Sequence, residues 1–386
     1  MKLSSFLRTL LSRAAWAALA VTPLVQAAPV IQHWQTAGGA RVYFVESRAL
    51  PIVDVQVDFS AGSAYDPAEK GGLASLTRGV LDLGAGELDE NAIAGRLADL
   101  GAQLGGGADL DRASVSLRTL ADETKREPAL AILRSVLQAP RFAPEVIERE
   151  RARRSAALKD ALTRPDTLAA RAFWAALYPG HPYGRQTTPD GLNALTRADV
   201  QAFYAAHYRA ERATVTLVGD LSRQEAEAIA AEVSKALPQG PALAKMAQPS
   251  EPKPGPSHID FPSKQTHILL AQLGIDRREA DWPALYLGNQ ILGGGGFGTR
   301  LMSEVREKRG LTYGVYSGFS PMQVRGPFMI QLQTRAEMSG GTLRLVEDVL
   351  ADYLKTGPTQ KELDDAKREL AGSFPLSTAS NADIVG

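Results

Sequence analysis

The order of structural signals is repeated on the two sides of one proline-rich stretch, and this repetition limits the fold more tightly than any other feature of the chain. In the first half, an apolar/polar alternation at Ala113–Leu120 predicts a strand, helical spacing follows at Arg126–Leu137, and a charged helix begins near Pro144 after a Pro-containing loop. The same series returns in the second half: a strand at Phe328–Thr334, a helix at Thr342–Lys355, a loop through Gly357 and Pro358, and a charged helix from about Thr359. Such a duplicated unit is expected to give an α+β protein of two homologous domains, each an antiparallel-rich sheet packed with helices. The run PQGPALAKMAQPSEPKPGP, within residues 237–257, is rich in proline and poor in β-branched residues, which suits an extended linker. The expected division is a first domain at 28–236, the linker at 237–257 and a second domain at 258–386. Setting Pro144 against Thr359 places Gly386 opposite about Arg171, so the second domain reads as truncated on its C-terminal side.

Composition closes off several classes of function. Lys plus Arg (43) equals Asp plus Glu (43) and no basic block stands out, which argues against a nucleic-acid partner. The absence of cysteine excludes disulfides, iron–sulfur clusters, thiolate zinc sites and a cysteine nucleophile. A hydrophobic content of 44% is enough for packed cores. Residues 1–27 read as an export signal peptide: Lys2, Arg8 and Arg13 precede the apolar run from Ala14 to Val25, and Val25-Gln26-Ala27 supplies a small-residue cleavage site. No later stretch reaches the roughly 18 apolar residues that a spanning helix needs, so a periplasmic protein without a membrane span is expected.

The glycine run at Gly293, Gly294, Gly295, Gly296 and Gly298 formally satisfies G-x-G-x-x-G, but a string of glycines does so trivially. The preceding Ala284–Leu292 segment has helical spacing, whereas a dinucleotide fingerprint follows a strand, and Thr299-Arg300 stand where a phosphate loop needs lysine. A glycine turn between helices is expected, able to approach the backbone of a ligand closely. Among the five histidines, His181 in Gly180-His181-Pro182-Tyr183 reads as a turn residue and His207 as the capping end of a helix. His258 and His267 flank the first strand of the second half without a partner at metal-ligand spacing.

Several stretches, in order, carry a family resemblance. GSAYDPAEKGGLASLTRGVLDLGAG (Gly62–Gly86), GHPYGR (Gly180–Arg185), FYAAHYRAERATVTLVGD (Phe203–Asp220) and GGFGTRLMSEVREKRGLTYGVYSG (Gly295–Gly318) together resemble the pitrilysin/insulinase family of inverted zincin peptidases. The resemblance covers nearly the whole chain after the leader. In that family the helix within the first stretch carries His-x-x-Glu-His. Here the resemblance places Ser75 and Gly79 at the two histidine positions and Arg78 at the general-base glutamate. The third ligand, a Glu about 75–80 residues further on in the family, falls near Ala157, and Arg151–Leu158 holds no acidic residue. No histidine lies between His33 and His181, so no shift of register supplies the ligands. Zinc chemistry needs two imidazoles one helical turn apart with a carboxylate beside them, so no metal is expected in this chain.

The other part of the family's active site is retained. Arg306 and Tyr313 lie seven positions apart, across a helix end, the turn at Gly310 and an expected strand at Leu311–Ser317. They match an Arg–Tyr pair that the family places on its second domain, facing the zinc centre, to hold a substrate carbonyl. A permanent cation and a hydroxyl donor suit charge developing on a carbonyl oxygen. Read from the residues alone, Glu304, Arg306, Glu307, Lys308 and Arg309 equally fit a solvated helix end, and Tyr313 a strand aromatic. The combination resembles two-chain members of the family, in which one subunit carries zinc and its sister supplies the Arg–Tyr pair. It implies a metal-free, non-catalytic subunit of a periplasmic heterodimeric zinc peptidase, with a zinc-bearing paralogous partner and a peptide substrate guided by the glycine run. A peptide-binding or structural scaffold without proteolytic role, and a stand-alone metallopeptidase with an atypical site, are the alternative implications.

Overall fold

The computed structural model describes residues 29–240, 244–276 and 278–385, and the expected signal peptide at 1–27 lies outside the described residues. From Ile31 onward the chain packs as one unit. The first half begins with strands β1 (Gln32–Gln35), β2 (Arg41–Glu46) and β3 (Ile52–Phe59), helix α1 (Leu73–Val80) and a short hairpin of β4 (Gly84–Ala85) and β5 (Leu88–Asp89). Helix α2 (Glu90–Leu100), strands β6 (Gln103–Gly105) and β7 (Ala113–Leu120), and helices α3 (Glu123–Gln138), α4 (Pro144–Ala161) and α5 (Pro165–Leu177) follow. Helices α6 (Pro189–Asn193) and α7 (Arg197–His207), strand β8 (Ala213–Gly219) and helix α8 (Arg223–Ser234) complete it. Between α8 and β9 (Gln265–Leu273) the described residues form neither helix nor strand. The second half continues with α9 (Trp282–Asn289), π-helical turns at Gln290–Gly294 and Met302–Glu307, strands β10 (Val315–Phe319) and β11 (Pro327–Arg335), and helices α10 (Ser339–Thr356), α11 (Gln360–Ser373) and α12 (Asn381–Val385).

Helix starts follow their caps. Asp122 accepts from Thr124 N–H, so α3 begins three residues before the apolar spacing at Arg126. Pro144 occupies the first turn of α4, where its missing N–H costs nothing. Thr359 and Glu362 form a capping box at the start of α11. The strand expected from Leu311 begins only at Val315. Leu311 N–H still donates to Val305, at the preceding helix end, and the Thr312 hydroxyl bonds both the N–H (3.1 Å) and the carbonyl (2.8 Å) of Gly314, closing a local turn in place of a ladder.

The six strands of the first sheet run β1-β2-β8-β3-β7-β6, antiparallel except for the β2–β8 pair. Alternation along β3 sends Val53, Val55, Val57 and Phe59 into the core and leaves Asp54, Gln56 and Asp58 on the opposite face. Each such Val or Phe, fully buried, stabilises by about 1.5–3 kcal/mol. The second sheet, β10-β11-β9, repeats the order β6-β7-β3 of the first, so the duplication is present in space as well as in sequence. It is packed by a smaller core of Leu292, Leu301, Val305, Val315, Ile330 and Val346.

The halves meet over a third cluster that includes Leu177, Tyr178, Tyr183, Leu273 and Val324. Asp111 crosses this junction, accepting from the Tyr183 hydroxyl and from Gln323 N–H at 2.9 Å. The GHPYGR stretch and the Tyr178 that precedes it form this seam: His181 Nε2 bonds the carbonyl of Ala247 in the linker at 3.0 Å, and Tyr178 donates to the Arg325 carbonyl at 3.1 Å. Two helices at equivalent places in the repeat cross over, with α5 packing against β9 and α12 against β3 and β8. Asn381, at the start of α12, is buried and donates to the carbonyl of Val218.

Candidate functional site

Helix α1 is held at its N-terminal end by the chain before it. Asp66 accepts from Gly72 and Ala74 N–H at 2.7 Å each, satisfying donors that have no partner inside the helix. Burial of this carboxyl pushes it up to about 6 against the pull of those N–H groups. Arg185 of the GHPYGR stretch donates to the Asp66 carbonyl at 2.7 Å and fixes the loop. Leu73, Leu76 and Val80 face the core, and along the helix only Ser75 and Gly79 are not buried.

Arg78 is buried and spoken for. Its guanidinium donates to the carbonyls of Ser114 (2.5 Å) and Gly105 (2.6 Å), tying α1 to β7 and to the edge strand β6, and Asp82 lies 3.4 Å away. It therefore serves as a structural cation where the family resemblance expects a proton acceptor.

The residue that meets Ser75 and Gly79 from α4 is Arg154, not Ala157. Ala157 is exposed. Arg154 Nη1 donates to Ser75 Oγ at 2.7 Å, and its Nη2 lies only 1.8 Å from where a Cβ on Gly79 would sit. The guanidinium thus rests directly on the glycine. Burial lowers the Arg154 pKa from its usual value; Glu150 pulls the other way, while Arg153 and Arg78 add repulsion. The residues that occupy the family's metal position are a hydroxyl, an absent side chain and two guanidiniums, and they do not fit zinc: none is a good ligand, and the cations oppose a divalent ion. Among the described residues no group of three or more His, Asp or Glu converges elsewhere to hold a metal.

Arg306 and Tyr313 stand on the second half. Arg306 lies in the second π-helical turn with its guanidinium carbon 4.7 Å from the centre of the Phe297 ring, and it makes no ion pair among the described residues. Tyr313 is 92% exposed in the turn ahead of β10. The glycine run divides in two. Gly293 and Gly294 belong to a π-helical turn, and a Cβ there would lie 2.6 Å from Ser317 Oγ and 2.4 Å from Asn289 Nδ2; Gly295 is as crowded, 2.7 Å from the Gln290 carbonyl. Only Gly296 and Gly298, with φ of +73° and +92°, are the open turn that the whole run was expected to be. The crowding has a cause: Asn289 clamps β10 through Ser317, accepting from its hydroxyl at 2.7 Å and donating to its carbonyl at 3.0 Å.

Two residues the sequence did not mark thus belong to these sites, Arg154 and Phe297. Residues 41–191 match the insulinase family, peptidase family M16, and residues 194–370 match the peptidase M16 inactive domain. The chain belongs to peptidase family M16. A peptidase M16 inactive domain from Pseudomonas fluorescens is 56% identical, with a TM-score of 0.89 over 92% of this chain and 86% of that one. The non-peptidase homolog YmxG of Helicobacter pylori is 26% identical over 87% of this chain and 78% of its own length. The periplasmic protease PqqL of Escherichia coli shares the fold at a TM-score of 0.74 and 15% identity, this chain spanning 40% of it. The inactive-domain match and the non-peptidase homolog support a non-catalytic M16 member. Among the described residues no helix is long and apolar enough to cross a membrane.

The pH response of this M16 chain is expected to turn on His207. Its ring is buried between Tyr65 and Phe203, at centroid distances of 5.2 and 4.3 Å, and burial pushes its pKa down to about 4 although the backbone of Ser60 bonds it. It does not cap its own helix, a role filled by Arg209 and Arg212, which donate to the carbonyls of Ala205 and Ala206. The unfolded chain takes a proton at His207 below about pH 6.5, while the folded chain resists it until about 4, so stability falls as pH drops through that window, by up to about 3 kcal/mol. Asp66 acts with the opposite sign over an overlapping range, because its folded pKa is raised. The measurement is therefore the difference between wild type and His207→Phe in urea melts from pH 7 to 4. A difference that does not change with pH would show that His207 is not the proton-sensitive group.

Proposed function

We propose that this M16 chain is the metal-free, non-catalytic subunit of a periplasmic two-chain zinc peptidase. Its role is to offer Arg306 and Tyr313 to a peptide held against a zinc-bearing sister subunit. The observation that carries this reading is the contrast between the two sites. The metal position is filled by Arg154, tied to Ser75 at 2.7 Å, while Tyr313 is 92% exposed and Arg306 keeps a guanidinium uncommitted to any carboxylate among the described residues. A tyrosyl hydroxyl and a guanidinium so placed can donate to a carbonyl oxygen that gains charge in a transition state.

The test is to mix the purified chain with the zinc-bearing paralogue and follow peptide cleavage. The chain alone is expected to cleave nothing and hold no stoichiometric zinc, and the mixture to be active. Arg306→Ala should lower kcat/KM of the mixture by about 100-fold, equivalent to about 3 kcal/mol of transition-state stabilisation. An active mixture indifferent to that substitution would place Arg306 outside the shared site. Peptide binding with no partner-dependent cleavage would select the scaffold reading instead.

A further inference from the structure

Ser75 and Gly79 are four positions apart on one face of α1, and they form the solvent window of an otherwise buried helix. The Arg154 guanidinium lies in that window with a single hydrogen bond, to Ser75 Oγ, and no ion pair among the described residues. Nε of Arg154 is buried with no hydrogen-bond partner among the described residues. The neighbouring charges are already matched. Glu150, one turn earlier on α4, is held by Arg153 at 2.5 Å and Arg149 at 3.4 Å, and Arg78 is spent on the two carbonyls and Asp82.

A partly buried cation that must share the carboxylate of Glu150 with Arg149 and Arg153 is under-compensated, and a ligand's charge would relieve it. The donors here suit one chemical class. A planar guanidinium presents a fork that matches a carboxylate, and Ser75, accepting from Arg154, keeps its own O–H to donate. One uncommitted cation balances one negative charge, which favours a carboxylate over a phosphate. Arg78, the neighbour of Gly79 on α1, bonds the carbonyl of Gly105, the last residue of the sheet-edge strand β6, and so ties the helix that carries the window to a strand edge of the kind that extended peptides join. We infer that the window formed by Ser75, Gly79 and Arg154 is a binding site for the terminal carboxylate of a peptide. The site stands whether or not a zinc-bearing partner exists.

Titration calorimetry on the purified protein tests this with N-acetyl-pentaalanine as the free acid, the same peptide as its C-terminal amide, and sodium acetate. The free acid is expected to bind at least about tenfold more tightly than the amide or acetate, and Arg154→Gln to weaken it by at least about tenfold, with Arg154→Lys in between. Should Arg154→Gln fail to fold, Ser75→Ala removes only the hydroxyl donor and should weaken the free acid about threefold. Equal binding of acid and amide, acetate matching the peptide, no binding of any probe, or indifference to the variants would each overturn the assignment. A purely structural Arg154 would alter melting temperature and leave the acid-to-amide ratio unchanged.

Discussion

Ser75→His, Gly79→His and Arg154→Glu combined are expected to give the chain one tightly held zinc ion, whereas the two histidines alone are expected to give none. Positions 75 and 79 lie one helical turn apart on the exposed side of α1, the spacing that lets two imidazoles share a metal. The bar that points into the site is Arg154, since Arg78 is turned to the carbonyls of Ser114 and Gly105 and to Asp82. Arg154 Nη1 is 2.7 Å from Ser75 Oγ, and any side chain at Gly79 must displace its Nη2, so new imidazoles would point into a guanidinium. At about 4 Å and an effective dielectric constant of about 20, a guanidinium opposes a divalent ion by about 8 kcal/mol, which is comparable to the whole free energy of micromolar binding. Exchanging that cation for a carboxylate reverses the sign and adds a third ligand. Metal analysis after dialysis, followed by zinc titration, measures both variants. Equal zinc in the double and triple variants would mean that Arg154 is no barrier; none in the triple would mean that α1 and α4 do not hold ligands at coordinating distance.

How much of this was open to a reader of the residues alone depends on how local the determining contact is. Strand β7 spans Ala113–Leu120 as its alternation predicts, and α11 starts where Thr359 and Glu362 cap it, because those signals are written within a few residues. The shared face of Ser75 and Gly79 also follows from their spacing. Arg154 does not: the sequence shows Arg153 and Arg154 together on a charged helix, and only the packing of α4 on α1 turns the second inward and commits the first to Glu150. Ala157, at about the family spacing, faces solvent for the same reason. Glycine is silent in a similar way. Gly293 and Gly296 are the same residue in one run, yet the first is required by its contact with Ser317 and the second by its backbone angle, and tertiary structure alone separates the two causes.

Gly219→Ala is the second substitution expected to have a large effect, costing about 4 kcal/mol of folding stability. Gly219 ends β8 at φ of +148°, a backbone region that L side chains rarely adopt. A Cβ there would stand 2.3 Å from the Ile52 carbonyl oxygen and 2.8 Å from Val53 Cα, and both obstacles are backbone of the central strand β3. Neither can swing aside as a side chain would. Moving them would pull β3 away from β8 where Ser47 and Leu221 N–H also converge on the Gly219 carbonyl. Equilibrium urea unfolding of the two proteins measures the cost, and a loss below about 1 kcal/mol would show that this corner of the sheet yields more easily than its geometry indicates. Gly79→Ala offers the contrast, because the atom it meets is the far end of the Arg154 side chain, which can withdraw.

The crossing of α5 onto β9 and of α12 onto β3 and β8 has an evolutionary corollary. Each copy of the repeat lends a helix to the sheet of the other. Two separate copies making the same reciprocal contacts would be a helix-swapped homodimer, so the present polypeptide has the architecture of such a dimer joined end to end.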